Sequence, residues 1–475
     1  MDVRPFWLAG RPVTGDAELT VTNPYDGRVV AVCSVPTPEQ VEEAVAAAAA
    51  VRKKAAALPI HVRAEALAHV SRRLAERADE IAHLITAENG KPVFWARGEV
   101  GRAVSTFRFA AEETRRLSGE TVRLDTEAAS AGRLAYVSRV PYGPVLGITP
   151  FNFPLNLVAH KVAPAIAAGA PIVLKPAPAT PVSSLVLGEI LAETDLPEGM
   201  FSVLPVPNDR AGTLTEDPRL PVVSFTGSAP VGYAIMDQVP RKHVTLELGG
   251  NAAAVVLADA DLDRAASRIA LFSNYQAGQS CIAVQRVIVE ESVHDDFVAR
   301  LVPAVEALVT GDPADEKTQV GPLVSVEAAE RVERWVAEAV SAGARLLTGG
   351  TRDGATVAPT VLADVPADAK VSREEVFGPV MIVQRVSGVD EAFAAVNDSR
   401  YGLQAGVFTR SLEIAFRANR ELEVGGVIIG DVPSYRADQM PYGGVKDSGV
   451  GREGIRSAIA DLTYEKVMVL TGLTL

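Results

Sequence analysis

The chain has 475 residues, of which 48% are hydrophobic and 22% charged, a composition that supports a sizeable globular core and excludes disorder. Its formal charge of -13 disfavours unspecific attraction to nucleic acid or to anionic lipid. Cys33 and Cys281 are the only cysteines, which excludes a disulfide framework and any multi-cysteine metal site. The histidines show no zinc-like spacing, so no metal is expected.

In chain order, the start Met1-Asp2-Val3-Arg4-Pro5 has no basic region leading into an apolar one. The alanine-rich stretch 44–57 is broken by Arg52, Lys53 and Lys54, so neither a secretory signal nor a membrane span is expected and the chain reads as cytoplasmic. The apolar run 29–35 makes Cys33 core filling. Residues 38–118 read as largely helical, interrupted at Gly90-Lys91-Pro92. From Pro141 strands and helices alternate: strand 144–149, helix 155–168 ended by Gly169, and strand 171–175. A helix with Thr180 as N-cap and Pro181 at its first position follows, then strands 200–206 and 221–225. This predicts an α/β fold with a parallel, doubly wound sheet. A second alternation over 251–433, with strands at 253–257, 286–290 and 426–429, predicts a second α/β domain. Residues 133–139 and 463–469 alternate as strands outside both, suited to a small sheet for subunit contacts.

The chemistry concentrates in two stretches. Gln276-Ala277-Gly278-Gln279-Ser280-Cys281 offers a thiol nucleophile, and Leu246-Glu247-Leu248-Gly249-Gly250-Asn251 offers a base. A thiol attacks a carbonyl reversibly near neutral pH, and a separate carboxylate can then activate water against the thioester. Alone, Cys281 would read as an inert buried thiol. Asn152, in Thr149-Pro150-Phe151-Asn152-Phe153-Pro154, follows a strand, and its amide could join the Cys281 N–H around an oxyanion. No Gly-x-Gly-x-x-Gly fingerprint is present. Strand 222–225 instead runs into Thr226-Gly227-Ser228 with Pro230 opening a helix, a candidate pyrophosphate site, and Lys175 ends a neighbouring strand at its carboxyl edge.

Taken together these stretches resemble the aldehyde dehydrogenase superfamily over nearly the whole chain. Lys175-Pro176, Glu374-Glu375-Val376-Phe377-Gly378-Pro379 and Pro441-Tyr442-Gly443-Gly444-Val445-Lys446-Asp447-Ser448-Gly449 also match, all in family order. The resemblance implies a Rossmann-like cofactor domain (1–118 and 141–248), an α/β catalytic domain (249–437) and a small β oligomerisation sheet (119–140 and 455–475). It implies Cys281 as nucleophile, Glu247 as base and Asn152 as oxyanion donor. For NADP or NAD it implies Lys175 as a ribose contact, Ser228 as a pyrophosphate contact, and Glu375 with Phe377 at the nicotinamide ribose. Thr149, Pro150, Phe151, Gly212, Phe225, Gly227 and Leu248 complete the expected cofactor site. A homodimer or homotetramer oxidising a small-molecule aldehyde is expected, with no nucleic-acid or membrane partner.

Three departures sharpen this reading. Pro178 stands where many similar NAD-preferring chains carry a glutamate, which removes the main charge penalty against a 2′-phosphate. Gly430 replaces an asparagine usual in similar chains. Around Tyr435-Arg436-Ala437-Asp438-Gln439-Met440-Pro441 the chain is similar to the branch of lactaldehyde, phosphonoacetaldehyde and non-phosphorylating glyceraldehyde-3-phosphate dehydrogenases. Arg102 and Arg436 match the anion-clamp arginines of that branch, whereas Phe153 and Ser280 replace the clamp's other half. The expected substrate is therefore a hydroxylated or singly anionic aldehyde, with Arg102, Phe153, Ser280 and Arg436 around it. A CoA-acylating enzyme is disfavoured because acylating relatives generally lack a base matching Glu247. A catalytically silent protein on the same scaffold is disfavoured by the presence of Cys281, Glu247 and Asn152.

Overall fold

In the computed structural model, which describes residues 2–474, two mainly parallel sheets follow the two runs of alternating elements. The first has five parallel strands in the spatial order Phe201–Val203, Ile172–Lys175, Val145–Ile148, Val222–Thr226 and His243–Glu247. In chain order this is third, second, first, fourth, fifth. The order therefore reverses between Val145–Ile148 and Val222–Thr226, and the connections leaving those two strands part to open a crevice at their carboxyl ends. The strands are short, branched and buried on both faces, as parallel strands covered by helices must be. Gly449–Val450 closes one edge antiparallel to His243–Glu247. At the other edge a hairpin of Phe6–Leu8 and Arg11–Val13, which the sequence pattern does not announce, pairs with Phe201–Val203.

The second sheet runs Arg345–Thr348, Thr360–Ala363, Val380–Val386, Arg286–Glu290, Ala253–Val256, Gln404–Phe408, Gly426–Ile429, all parallel except the first. The two alternating segments that fit neither sheet pair with each other: Thr463–Leu470 lies antiparallel along Leu134–Pro141, with Glu120–Arg123 on its far side. Cys33 is fully buried in Val29–Val35, as its apolar run predicts. No helix among the described residues is long and apolar enough to cross a membrane.

Residues 38–118 form four helices, Pro38–Ala56, Ile60–Glu76, Ala78–Asn89 and Val93–Thr114, and the expected break falls where Gly90 takes a left-handed φ of 76°. These helices do more than cover the sheet. The helix Asn156–Ala168 is buried along its whole length, so its N-terminal amides cannot reach bulk water. Glu99 meets them: Leu155 N and Asn156 N donate to its Oε1 at 2.9 and 3.0 Å, and its Oε2 pairs with Lys91, both side chains being wholly buried. The next helix corrects the Thr180 expectation. It spans Val182–Ala192 with no side-chain cap from its own segment, and the Thr180 hydroxyl donates to the Phe151 carbonyl at 3.3 Å instead. Glu88 is the cap, accepting from Val182 N at 2.7 Å and Ser183 N at 2.9 Å. A carboxylate from another helix suits these amides better than a local hydroxyl because it adds charge at the positive end of the dipole. Burial still outweighs those bonds and pushes the Glu88 carboxyl up to about 7.

Removing one member of a buried ion pair strands the other, so Glu99→Ala should destabilise the protein by about 3–5 kcal/mol, read as a lowered urea midpoint. An unchanged midpoint would mean that Lys91 and the two amides find other partners.

Candidate active site

A cleft of about 720 Å³ opens at the crevice between the diverging connections and runs to Cys281. Along the peptide before Cys281, Gln276, Ala277 and Gly278 have φ of 52°, 53° and 70°. Two consecutive left-handed residues other than glycine are costly, about 1–3 kcal/mol each, and persist only where the surroundings hold them. Here a methyl group on Gly278 would lie 2.1 Å from the Gly378 carbonyl oxygen, the Gln276 side chain donates to the Asn152 carbonyl, and Val324 N donates to the Gln279 side chain at 2.9 Å. Cys281 emerges half-buried, with Sγ 3.2 Å from the Tyr442 hydroxyl, and burial pushes its thiol up to about 12.

Glu247 ends its strand with neighbours on both sides, which fixes its backbone. It is buried, and neither carboxylate oxygen has a hydrogen-bond partner. Burial, followed by the nearby Glu453 charge, holds its carboxyl well above the usual range, while Arg436, Lys161 and Arg452 oppose this. Glu453 moves the other way. Although burial alone would raise it, Lys161 at 3.3 Å and Arg436 at 2.9 Å keep it ionised and below the usual range. Asn152 is buried opposite, its amide donating to the Gln279 carbonyl at 2.9 Å, which ties the loop after the first parallel strand to the loop of Cys281. The same loop is held by Asn89, which donates to the Phe151 carbonyl at 2.8 Å, and by the Lys91 ammonium 4.1 Å above the Phe153 ring.

The other end of the cleft fits a dinucleotide. The helix Ala229–Gln238 starts at Ser228 with Pro230 in its first turn, as expected, and no side chain caps it, so its amides face the cleft. Gly227 lets the backbone approach closely there, since a methyl group would sit 2.6 Å from the Phe225 ring. The buried hydroxyls of Thr149 and Thr226 are unpartnered. Lys175 donates to the Asn208 side chain at 2.7 Å and burial pulls its ammonium down to about 8, with Pro178 on the same wall. Towards Cys281, Glu375 accepts from Gly250 N at 3.0 Å, and burial pushes it up to about 7; a methyl group on Gly249 would lie 2.1 Å from its Oε2. Phe377, with φ of 48°, sets its ring edge-on to Phe151 at 5.8 Å. Pro150 and Leu248 complete this wall.

Of the residues singled out from the sequence, four do not line the cleft. Gly212 stands beside Ala211, which does line it. Arg102 binds Asp438 through Nε at 3.2 Å and Nη2 at 2.9 Å, and Asp438 also receives His160 at 3.1 Å. Phe153 turns under Lys91, and Ser280 accepts from the Tyr275 hydroxyl. Arg436 does line the cleft, almost wholly buried, its guanidinium 3.8 Å above the Tyr442 ring and its Nε unpartnered. Tyr442, Glu453 and Arg331 also line the cleft, although no local sequence feature singles them out as site residues. Tyr442 lies inside a matched motif; nothing local marks the other two.

The model of the "Aldehyde dehydrogenase family" matches residues 12–468. The chain is 44% identical over 466 residues to 3-sulfolactaldehyde dehydrogenase of Priestia aryabhattai, covering 98% of this chain and 97% of that one. Among solved structures, aldehyde dehydrogenase 21 of Physcomitrella patens, in complex with the reaction product succinate, superimposes with a TM-score of 0.97 at 46% identity, covering 99% and 98% of the two chains. NADP-dependent glyceraldehyde-3-phosphate dehydrogenase of Bacillus halodurans, complexed with NADP, gives a TM-score of 0.96 at 35% identity, covering 99% and 100%.

Proposed function

This chain belongs to the aldehyde dehydrogenase family and is NAD(P)-dependent, and from that premise we propose that it oxidises a short aldehyde bearing a hydroxyl or a single negative charge to the carboxylic acid. The observation that carries this reading is the convergence of Cys281, Glu247 and Arg436 on one cleft that also reaches an uncapped helix N-terminus. Cys281 Sγ attacks the aldehyde carbon, and the Asn152 amide donates to the oxygen as it gains charge. NAD(P), held by the residues at the other end of the cleft, would supply the hydride acceptor needed to oxidise the thiohemiacetal to a thioester. Glu247, with both oxygens free, then takes a proton from the water that hydrolyses the thioester.

In this reading Lys175 and Asn208 hold the adenosine ribose end, Ser228 and the following amides the pyrophosphate, and Glu375 with Phe377 the nicotinamide ribose. Residues 1–118 and 141–248 form the cofactor unit and 249–437 the catalytic unit. The edge strand Thr463–Leu470, with Val467, Met468 and Val469 exposed, serves a homodimer or homotetramer. The unpaired cysteines suit the reducing cytoplasm. The substrate class follows from Arg436. Its Nη2 is paired with Glu453, but its Nε is unpartnered and it lines the cleft beside Cys281, whereas Arg102 is paired with Asp438 and lies off the cleft, so a singly charged tail is served and a doubly charged phosphate is not. The relatives named for sulfolactaldehyde, and the one with succinate bound, support a tail of this kind.

Cys281→Ala should abolish turnover and leave cofactor binding intact by calorimetry, whereas Glu247→Gln should give a burst of reduced cofactor followed by slow turnover. A full-speed steady state in Glu247→Gln would remove it from the role of base.

NADP should be used at least as well as NAD, because no carboxylate at Pro178 opposes a 2′-phosphate and the Lys175 ammonium attracts it. Steady-state kinetics of Pro178→Glu should shift preference toward NAD. Strong rejection of NADP by the wild type would place selection elsewhere.

A charge-assisted hydrogen bond contributes about 1.5–3 kcal/mol, so Arg436→Ala should lower kcat/KM for a carboxylated semialdehyde by about ten- to a hundredfold. An aliphatic aldehyde of equal length should lose less, and Arg102→Ala should have the smaller effect on either. Equal losses on both aldehydes would mean that Arg436 supports Glu453 and does not read the substrate's charge.

A further inference from the structure

The thiol of Cys281 has a polar partner, and it is not the base. The Tyr442 hydroxyl lies 3.2 Å from Sγ, whereas both oxygens of Glu247 are unpartnered. The position of that hydroxyl is over-determined. Tyr442 N donates to the Glu453 carbonyl at 3.0 Å, and Glu453 N donates back to the Tyr442 carbonyl at 2.7 Å. Its ring is buried against Ile282 and Leu403, and the Arg436 guanidinium covers one face at 3.8 Å. A cation over the ring draws electron density from it, which strengthens the phenol as a hydrogen-bond donor. Such a donor, fixed before the reaction, costs no reorganisation when charge appears on the sulfur.

We propose that Tyr442 is a further catalytic residue, whose hydroxyl donates to the Cys281 thiolate and stabilises it before attack on the aldehyde. The proposal rests on Cys281 being the nucleophile. The Sγ–H bond breaks and its proton leaves through solvent in the cleft, so that Glu247 does not carry it when the thioester is hydrolysed. Tyr442 keeps its own proton throughout and only turns its O–H toward sulfur. Once the S–C bond forms, the charge has moved to the carbonyl oxygen, the sulfur becomes a weak acceptor, and the Tyr442 bond loosens. The hydroxyl therefore acts on thiolate formation and not on thioester hydrolysis.

The titratable and charged groups facing Sγ are Tyr442, Glu375, Arg436, Glu247 and Tyr275. Burial raises the thiol most, Glu375 and Glu247 add to this, and Tyr442 and Arg436 oppose it. Loss of the phenol must therefore leave less thiolate at a given pH. The test is the rate of Cys281 alkylation by iodoacetamide across pH, without cofactor, in wild type and in Tyr442→Phe. A charge-assisted hydrogen bond shifts a titration by about one to two pH units, so below the midpoint the variant should react about ten- to a hundredfold more slowly at any fixed pH. Its cofactor affinity and its ratio of charged to neutral aldehyde turnover should stay as in wild type, because the ring under Arg436 is retained. Tyr442→3-fluorotyrosine, a more acidic phenol, should move the alkylation rate the opposite way and serves if the phenylalanine variant does not fold. Equal alkylation rates at every pH in folded Tyr442→Phe, or no change with the fluorinated residue, would overturn the proposal. Complete alkylation of Cys281 in the wild type should also stop turnover. Turnover that survives it would overturn the nucleophile itself, while turnover that stops alongside equal rates would overturn Tyr442 alone.

Discussion

Buried helix N-termini must have their amides satisfied, and the way this chain meets that requirement organises the site. Three helices follow parallel strands of the first sheet near the point where strand order reverses. Two of them, Asn156–Ala168 and Val182–Ala192, receive a carboxylate from the N-terminal helical segment, Glu99 and Glu88 respectively. The third, Ala229–Gln238, receives none and opens into the cleft. Of the three helix ends at the crevice, only this one is left open to an anion, because the other two are already closed. Closing the first end also fixes the loop of Asn152, since Glu99 grips its last two amides and Lys91 covers the Phe153 ring.

A second consequence of burial is that Cys281 and Glu247 carry little charge at rest. Desolvation raises both the Cys281 thiol and the Glu247 carboxyl, so thiolate and carboxylate are unfavourable until a ligand or a neighbour stabilises them. The permanent charges are paired with one another. Lys161 and Arg436 are bound to Glu453, and Arg102 to Asp438, so the cations beside the cleft are largely neutralised. A buried charge left unpaired would cost several kcal/mol, and these pairings avoid that while leaving a field that acts on Glu247. The backbone carries strain at the same place, in left-handed Gln276 and Ala277 in the stretch leading to Cys281 and in Phe377.

Gly430 shows how the structure accounts for a residue that sequence comparison could only point to. It follows the strand Gly426–Ile429 with φ of 75°, a conformation open to glycine and, among ordinary residues, best tolerated by asparagine. Exchange of one for the other keeps the backbone turn, and no atom stands where a Cβ would be.

The sequence by itself determined what depends on local order: the two runs of buried β-branched strands, the helices ended by Gly90 and Gly169, the extra segments of 133–139 and 463–469, and the motifs bearing Cys281, Glu247 and Asn152. Periodicity and turn chemistry act over a few residues, and motifs keep their own spacing. The tertiary structure alone decided who meets whom. Thr180 looked like a cap, but Glu88, from a distant helix, is a stronger acceptor for the same amides. Arg102 and Arg436 looked like a matched clamp, but Asp438 engages the first and Glu453 and Tyr442 hold the second at the cleft. Tyr442, Glu453 and Arg331 could not be assigned in advance, because a hydrogen bond or ion pair between residues far apart in sequence depends on burial and on the relative placement of elements. Neither quantity is carried by any short stretch of chain.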